Sequence, residues 1–202
     1  MKKLKKSKKN KFNLIEEYKK CFKYLNESKK FILFIILFFS LFVLIGFLIP
    51  VSQDISNQLL SLLKKILGQT ENLSQLELIK FIMFNNIKNT FFGLVFGVFL
   101  GIFPLISTLL NGYLLGFVFL LSVEQSGFSP FLNFLAYGIF ELPAIFISLG
   151  LGLKLGTFIF NKKKIITFKN YLLSSLKVFL LIVVPLLVIA GIIEGTLIAL
   201  SR

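Results

Sequence analysis

The chain has 202 residues, 56% of them hydrophobic, with a mean hydropathy of +0.86 and a net charge of +14 carried almost wholly by lysine. That is the composition of a polytopic membrane protein. Histidine is absent and Cys21 is the single cysteine, which excludes disulfide frameworks, thiolate or histidine metal sites and histidine-based triads within this chain.

Residues 2–11 hold seven lysines in ten positions, a density at which like charges repel and nothing apolar compensates, so a solvated, disordered tail is expected. A basic tail ahead of an apolar segment reads as a topology determinant in contact with anionic lipid headgroups rather than as a nucleic-acid arm. Leu14, Tyr18, Cys21, Phe22 and Leu25 then repeat at helical spacing, with Lys19, Lys20 and Lys23 elsewhere. The spacing predicts an amphipathic helix over 12–25, lying either on the membrane surface or on the protein's own cytoplasmic face. Together with the tail it forms a first region, 1–30.

Residues 31–200 read as a single all-α integral membrane domain of about five crossings, with broken helices and amphipathic interfacial helices. The first crossing, 31–49, is apolar except for Ser40 and Gly46 and is closed by Pro50. Its length and the basic stretch before it are those of an anchor, not of a cleavable signal sequence. Residues 51–86 are mixed. Ile55, Leu59, Leu62, Leu63 and Ile66 form an apolar face that Gly68 stops, and Ser74-x-x-Glu77 is a capping box that opens a second short helix through Phe84.

The apolar stretch 87–122 would run to about 50 Å as one helix, against a hydrocarbon core of about 30 Å. Pro104, Ser107, Thr108, Asn111 and Gly112 lie near its middle. Two crossings are therefore expected, 87–103 and 106–122, joined tightly. Orientation agrees: with two crossings the basic N-terminus and the basic segment 154–169 fall on one cytoplasmic side. After an outer loop over 123–130 come a crossing at 131–153 and a last one at 171–200, interrupted by Pro185. Gly93, Gly97 and Gly101, Gly112 and Gly116, Gly152 and Gly156, and Gly191 and Gly195 form small-xxx-small ladders. Such ladders bring helix backbones together, within one chain or between copies in a homo-oligomer.

The fourth crossing contains Gly138-Ile139-Phe140-Glu141-Leu142-Pro143-Ala144, a carboxylic acid and a helix-breaking proline in an otherwise apolar run. A carboxyl group at that depth costs several kcal/mol unless it is protonated, paired or facing water. Glu194 in the last crossing poses the same problem. Glu141, Glu194, Asn85, Asn86 and Asn111 are therefore the candidate intramembrane polar site.

Phe84-Asn85-Asn86 with the glycine-laddered helix after it, Asn111-Gly112 with Gly116, the Glu141 core with Gly150, Gly152 and Gly156, and Glu194 resemble the stage II sporulation protein M family over about residues 31–198. The resemblance implies a five-helix protein of the cell membrane. It also implies partnership with other envelope proteins, as the sporulation member is a membrane partner of cell-wall-degrading proteins. Relatives often carry a histidine where this chain has Tyr137.

Catalysis is not expected. The chain lacks His-Glu-x-x-His, a second aspartate beside Asp54, and a phosphate-binding glycine loop, and no nucleophile stands beside a base. Two readings of the acids stand side by side. Either Glu141 is a polar clamp that satisfies backbone groups freed by Pro143 or accepts from Asn111, in a scaffold or assembly partner of envelope proteins. Or Glu141, Glu194 and the asparagines build a midplane site for a small solute or ion, as interrupted helices do in transporters.

Overall fold

The computed structural model describes residues 13–49, 53–127 and 129–200, and every regular element among them is helical. The basic tail 2–11, Pro50 and Arg202 lie outside the described residues. Asn13 caps the first helix through its side-chain oxygen, which accepts from Ile15 N at 3.1 Å. From there α1, Leu14–Leu48, runs 35 residues without interruption. The expected amphipathic helix and the first crossing are thus one rod, because residues 26–30 contain nothing that breaks a helix. Its N-terminal half packs on the protein itself, with Cys21, Tyr24 and Ser28 buried. Further along, Leu33, Leu37, Leu41, Leu44 and Leu48 are each more than half exposed, a stripe suited to lipid.

Helix α2, Gln53–Gly68, stops at the predicted glycine; the side chains of Leu62, Leu63 and Ile66 lie outside the described residues. The capping box opens α3, Gln75–Val95, with Ser74 N and Oγ both donating to Glu77 Oε2, at 3.0 and 2.6 Å. This helix does not end at Phe84. It continues through a 3-10 turn at Phe96–Val98, so the expected short helix and the expected crossing 87–103 are one element, displaced toward the N-terminus.

The break also falls elsewhere than expected. It lies at Phe99–Gly101, where Leu100 and Gly101 have φ of +59° and +73°. Pro104 instead occupies the first turn of α4, Ile102–Ser126, where a missing N–H has no intrahelical partner to lose. Ser107, Thr108, Asn111 and Gly112 are ordinary helical positions of α4, with the Thr108 hydroxyl donating to Pro104 O at 2.6 Å. The outer loop shrinks accordingly, since α4 reaches Ser126 and α5 begins at Ser129. Helix α5, Ser129–Gly156, contains Pro143 and outruns the expected 131–153. The last rod starts earlier than residue 171. It comprises α6, Lys164–Val178, a π-helical turn at Phe179–Val183, and α7, Val184–Leu200.

Among the described residues, four helical segments are long and apolar enough to cross a bilayer: α1, 102–124 of α4, 136–160, and the rod 164–200. Helix α3 completes the bundle, packed between α5 and α7. The arrangement follows from the glycines. A Cβ on Gly46 or Gly116 would land on the carbonyl of Tyr113 or Val43, which welds α1 and α4 as a parallel pair. Gly97 meets Gly152 and Gly156 meets Gly101, welding α3 and α5, while Gly191 and Gly195 seat on Met83 and Ile79 and run α7 antiparallel to α3. These ladders are occupied by contacts within the chain. Where the pairs meet, Leu94, Ala144, Leu151, Val183 and Leu187 form the core with Cys21, Tyr24, Val178 and Phe179.

Candidate functional site

Glu141 is reached from the residues around it. On α3, Asn86 lies one helical turn before Thr90, whose hydroxyl donates to Asn86 O at 2.6 Å and Ile87 O at 3.1 Å. The Asn86 carboxamide reaches across to α5, where Nδ2 donates to Glu141 Oε1 at 2.9 Å. Seven residues further along α5, Ser148 Oγ donates to Thr90 O at 2.8 Å. Two polar ties therefore join α3 and α5 above the glycine contacts. Neither partner expected for a clamp is used: Glu141 pairs across helices with Asn86, and the Asn111 amide donates to Ser107 O in its own helix at 2.7 Å.

Glu141 also faces two cavities. A small polar one of about 70 Å³ is lined by Asn86, Asn89, Thr90, Ser107, Asn111, Glu141, Ile145 and Leu149. A larger, mostly apolar one of about 640 Å³ lies between α1, α4, α5 and α7, bounded by Phe39, Val43, Leu115, Val118, Phe119, Ser122, Tyr137 and Leu142. Glu194 faces this larger space, while Asn111, Glu141 and Ile145 border both. The smaller cavity runs toward Leu149, where Gly93 rests on the Leu149 side chain. The larger runs the other way, toward Ser122 and Tyr137.

Four of the five predicted polar residues, Glu141, Glu194, Asn86 and Asn111, line this paired space. Asn85 does not: it lines neither cavity and is exposed on the outer face of α3 beside Lys88. Gly138 and Gly150 are buried in α5, and Gly150 abuts the Ile32 backbone of α1. Asn89 and Ser107 were not anticipated. Their signal is periodicity, since Asn89 is three residues beyond Asn86 and Ser107 four before Asn111, each on its partner's helix face.

Two further polar groups were hidden from sequence reasoning. Pro185 has no N–H to give Leu181 O, the carbonyl four residues earlier, and the helix widens to a π turn there. Tyr18 of α1 reaches across 163 positions and donates its hydroxyl to that same Leu181 O at 3.2 Å. Lys154, expected at the start of a cytoplasmic basic segment, is instead only 5% exposed within α5. Its Nζ donates to Ser28 Oγ at 2.9 Å and sits 3.9 Å from the Tyr24 ring centroid and 5.1 Å from that of Tyr171.

An all-helical bundle with several bilayer-length apolar helices and a polar space between them defines a multi-pass integral membrane protein. Within that class, the model of the family described as Stage II sporulation protein M matches residues 35–197, and the chain belongs to that family. No curated protein and no solved structure matches the chain.

Proposed function

We propose that the chain is a non-enzymatic scaffold that assembles with other envelope proteins of the cell membrane, with its N-terminus in the cytoplasm and its basic tail against anionic headgroups. The observation that carries this reading is the outer face of α3. Asn85 and Lys88 are exposed there among the exposed aromatic rings of Phe84, Phe91 and Phe92, level with the Asn86–Glu141 bond. Hydrocarbon tolerates amides and an ammonium poorly at that depth, whereas such groups join helices when a partner covers them. A membrane-embedded partner helix with polar side chains of its own satisfies both. The test is the size of the native-membrane complex on blue-native gels. Asn85→Leu with Lys88→Leu releases the chain from its complex, while Leu41→Ala on the lipid-facing stripe of α1 leaves it unchanged. An unaltered complex in the double variant overturns the reading.

A second reading is favoured by one specific observation, that Glu141 and Asn111 stand between two cavities stacked along the bundle. A carboxylate and an amide at such a boundary are what a solute or ion site requires. Solute flux into proteoliposomes that disappears in Glu141→Gln supports transport, and flux identical to that of empty liposomes overturns it.

A further inference from the structure

We infer that the larger cavity is a binding site for a lipophilic organic cation, an apolar body bearing one positively charged nitrogen or phosphorus. This rests on the chamber of the second reading and not on transport through it. Size comes first. About 640 Å³ falls within the range of about 300–1,000 Å³ typical of small-molecule sites, which are mostly apolar walls with a few convergent polar groups.

The walls fix the chemistry of the occupant. Leu115 and Val118 of α4 and Val43 of α1 offer aliphatic surface to a hydrophobic body. Phe39 and Phe119 add ring faces and edges, and Phe39 is held by an edge contact to Phe146 at 5.1 Å between centroids. Glu141 and Glu194 enter the same space from α5 and α7. Two carboxyl groups bordering an aromatic-lined apolar space favour a positive charge, which pairs with them in their ionised form, over a negative or neutral head, and aromatic rings attract the same charge through their π faces. A bare inorganic ion fits less well. Calcium takes about six to eight oxygen ligands and magnesium a near-ideal octahedron, whereas this lining is mostly hydrocarbon, and no cluster of three or more acidic, histidine or cysteine residues occurs among the described residues. Lys88 and the cationic tie at Lys154 both lie off this cavity, so nothing described on its walls repels a cation.

The gap itself has a structural origin. Glycine contacts pull α4 onto α1 and α7 onto α3, and no extensive packing joins α4 to α7. The space between the two welded pairs is what the ligand occupies.

The experiment uses the full chain in lipid nanodiscs and radiolabelled tetraphenylphosphonium as the probe. Saturable binding is expected, weakened at least tenfold in Glu141→Gln and in Glu194→Gln, and uncompeted by the neutral triphenylphosphine oxide. Val118→Phe, which fills the body of the cavity without touching either acid, weakens tetraphenylphosphonium binding while the variant elutes as the wild type does. Binding that survives in the Glu141→Gln, Glu194→Gln double variant, or equal competition by the neutral compound, overturns the inference. So does an absence of saturable binding. If tetraphenylphosphonium fails but Glu141-dependent flux of another solute persists in proteoliposomes, the ligand class is wrong and the chamber reading stands. Failure of both removes the chamber reading as well.

Discussion

At the residue scale, the buried polar groups form short local solutions, each giving a donor a nearby backbone or side-chain acceptor. Tyr18 is the plainest. A proline inside a membrane helix strands a carbonyl that lipid cannot satisfy, and here a tyrosine from outside the apolar span supplies the missing proton to Leu181 O. Tyr18→Phe removes that donor and keeps the ring. It is expected to lower stability by about 1 kcal/mol, the usual net worth of one hydrogen bond, read as a shift in the thermal aggregation midpoint of the detergent-solubilised chain. Tyr18→Phe combined with Pro185→Ala restores the midpoint, since alanine returns the Leu181 carbonyl to its own helix. The rings around Lys154 follow the same logic, a cation placed over Tyr24 and near Tyr171.

At the scale of elements, glycines decide which helices touch. Gly97 lies where any Cβ would collide with the Gly152 backbone, which has no side chain to move aside. Gly97→Leu is expected to separate α3 from α5 and abolish the monodisperse peak in size-exclusion chromatography. Gly68, at the free end of α2 with open space around it, accepts alanine with a change within about 0.5 kcal/mol, the ordinary range for surface sites. Helix α3 also carries a pH signature. Hydrogen bonds from the Ser74 hydroxyl and backbone hold the Glu77 carboxyl below its ordinary value of 4.5. A depressed carboxylate stabilises the fold above that value, and the contribution is lost as acid protonates the group. Glu77→Gln should therefore lower stability slightly at neutral pH, flatten the acid limb of the stability profile below pH 4.5, and approach the wild type once acid has protonated Glu77.

These elements also show what the sequence carries and what it conceals. The Ser74 cap, the Gly68 stop, the apolar runs and the glycine ladders are local signals, and each locates an element or a contact face. Residue pairs far apart in sequence are not written locally, so Asn86 as the partner of Glu141 and Tyr18 as the partner of Leu181 emerge only from the packing. Proline misleads most. Pro104 looks like a break, yet prolines are harmless in a first turn, and the true break needs the two positive φ angles at Leu100 and Gly101. There, Gly101 meets both the strained backbone and the close approach of Leu153 and Gly156.

At the scale of the whole molecule, the glycine-paired helices put residues 99–101, the 157–163 connection and the N-terminal half of α1 at one end of the bundle, and the α2 region and the α4–α5 turn at the other. The orientation proposed from lysine placement is then open to direct measurement. On a Cys21→Ala background, cysteine introduced at Asn72 reacts with a membrane-impermeant maleimide applied to intact cells, while cysteine introduced at Lys163 reacts only after the cells are opened. The reverse pattern inverts the topology without disturbing the fold.

The three-residue connection between the 3-10 turn that ends α3 and the start of α4 bears on how the chain enters the bilayer at all. Helix α3 carries Asn85, Asn86, Lys88 and Asn89, and each such residue opposes transfer of an isolated helix into hydrocarbon. Helix α4 is strongly apolar and begins at Ile102, directly after that connection. The two are therefore obliged to partition as a hairpin, the second segment carrying the first, and a nascent chain cut at residue 101 would leave α3 at the mouth of the insertion machinery rather than across the membrane.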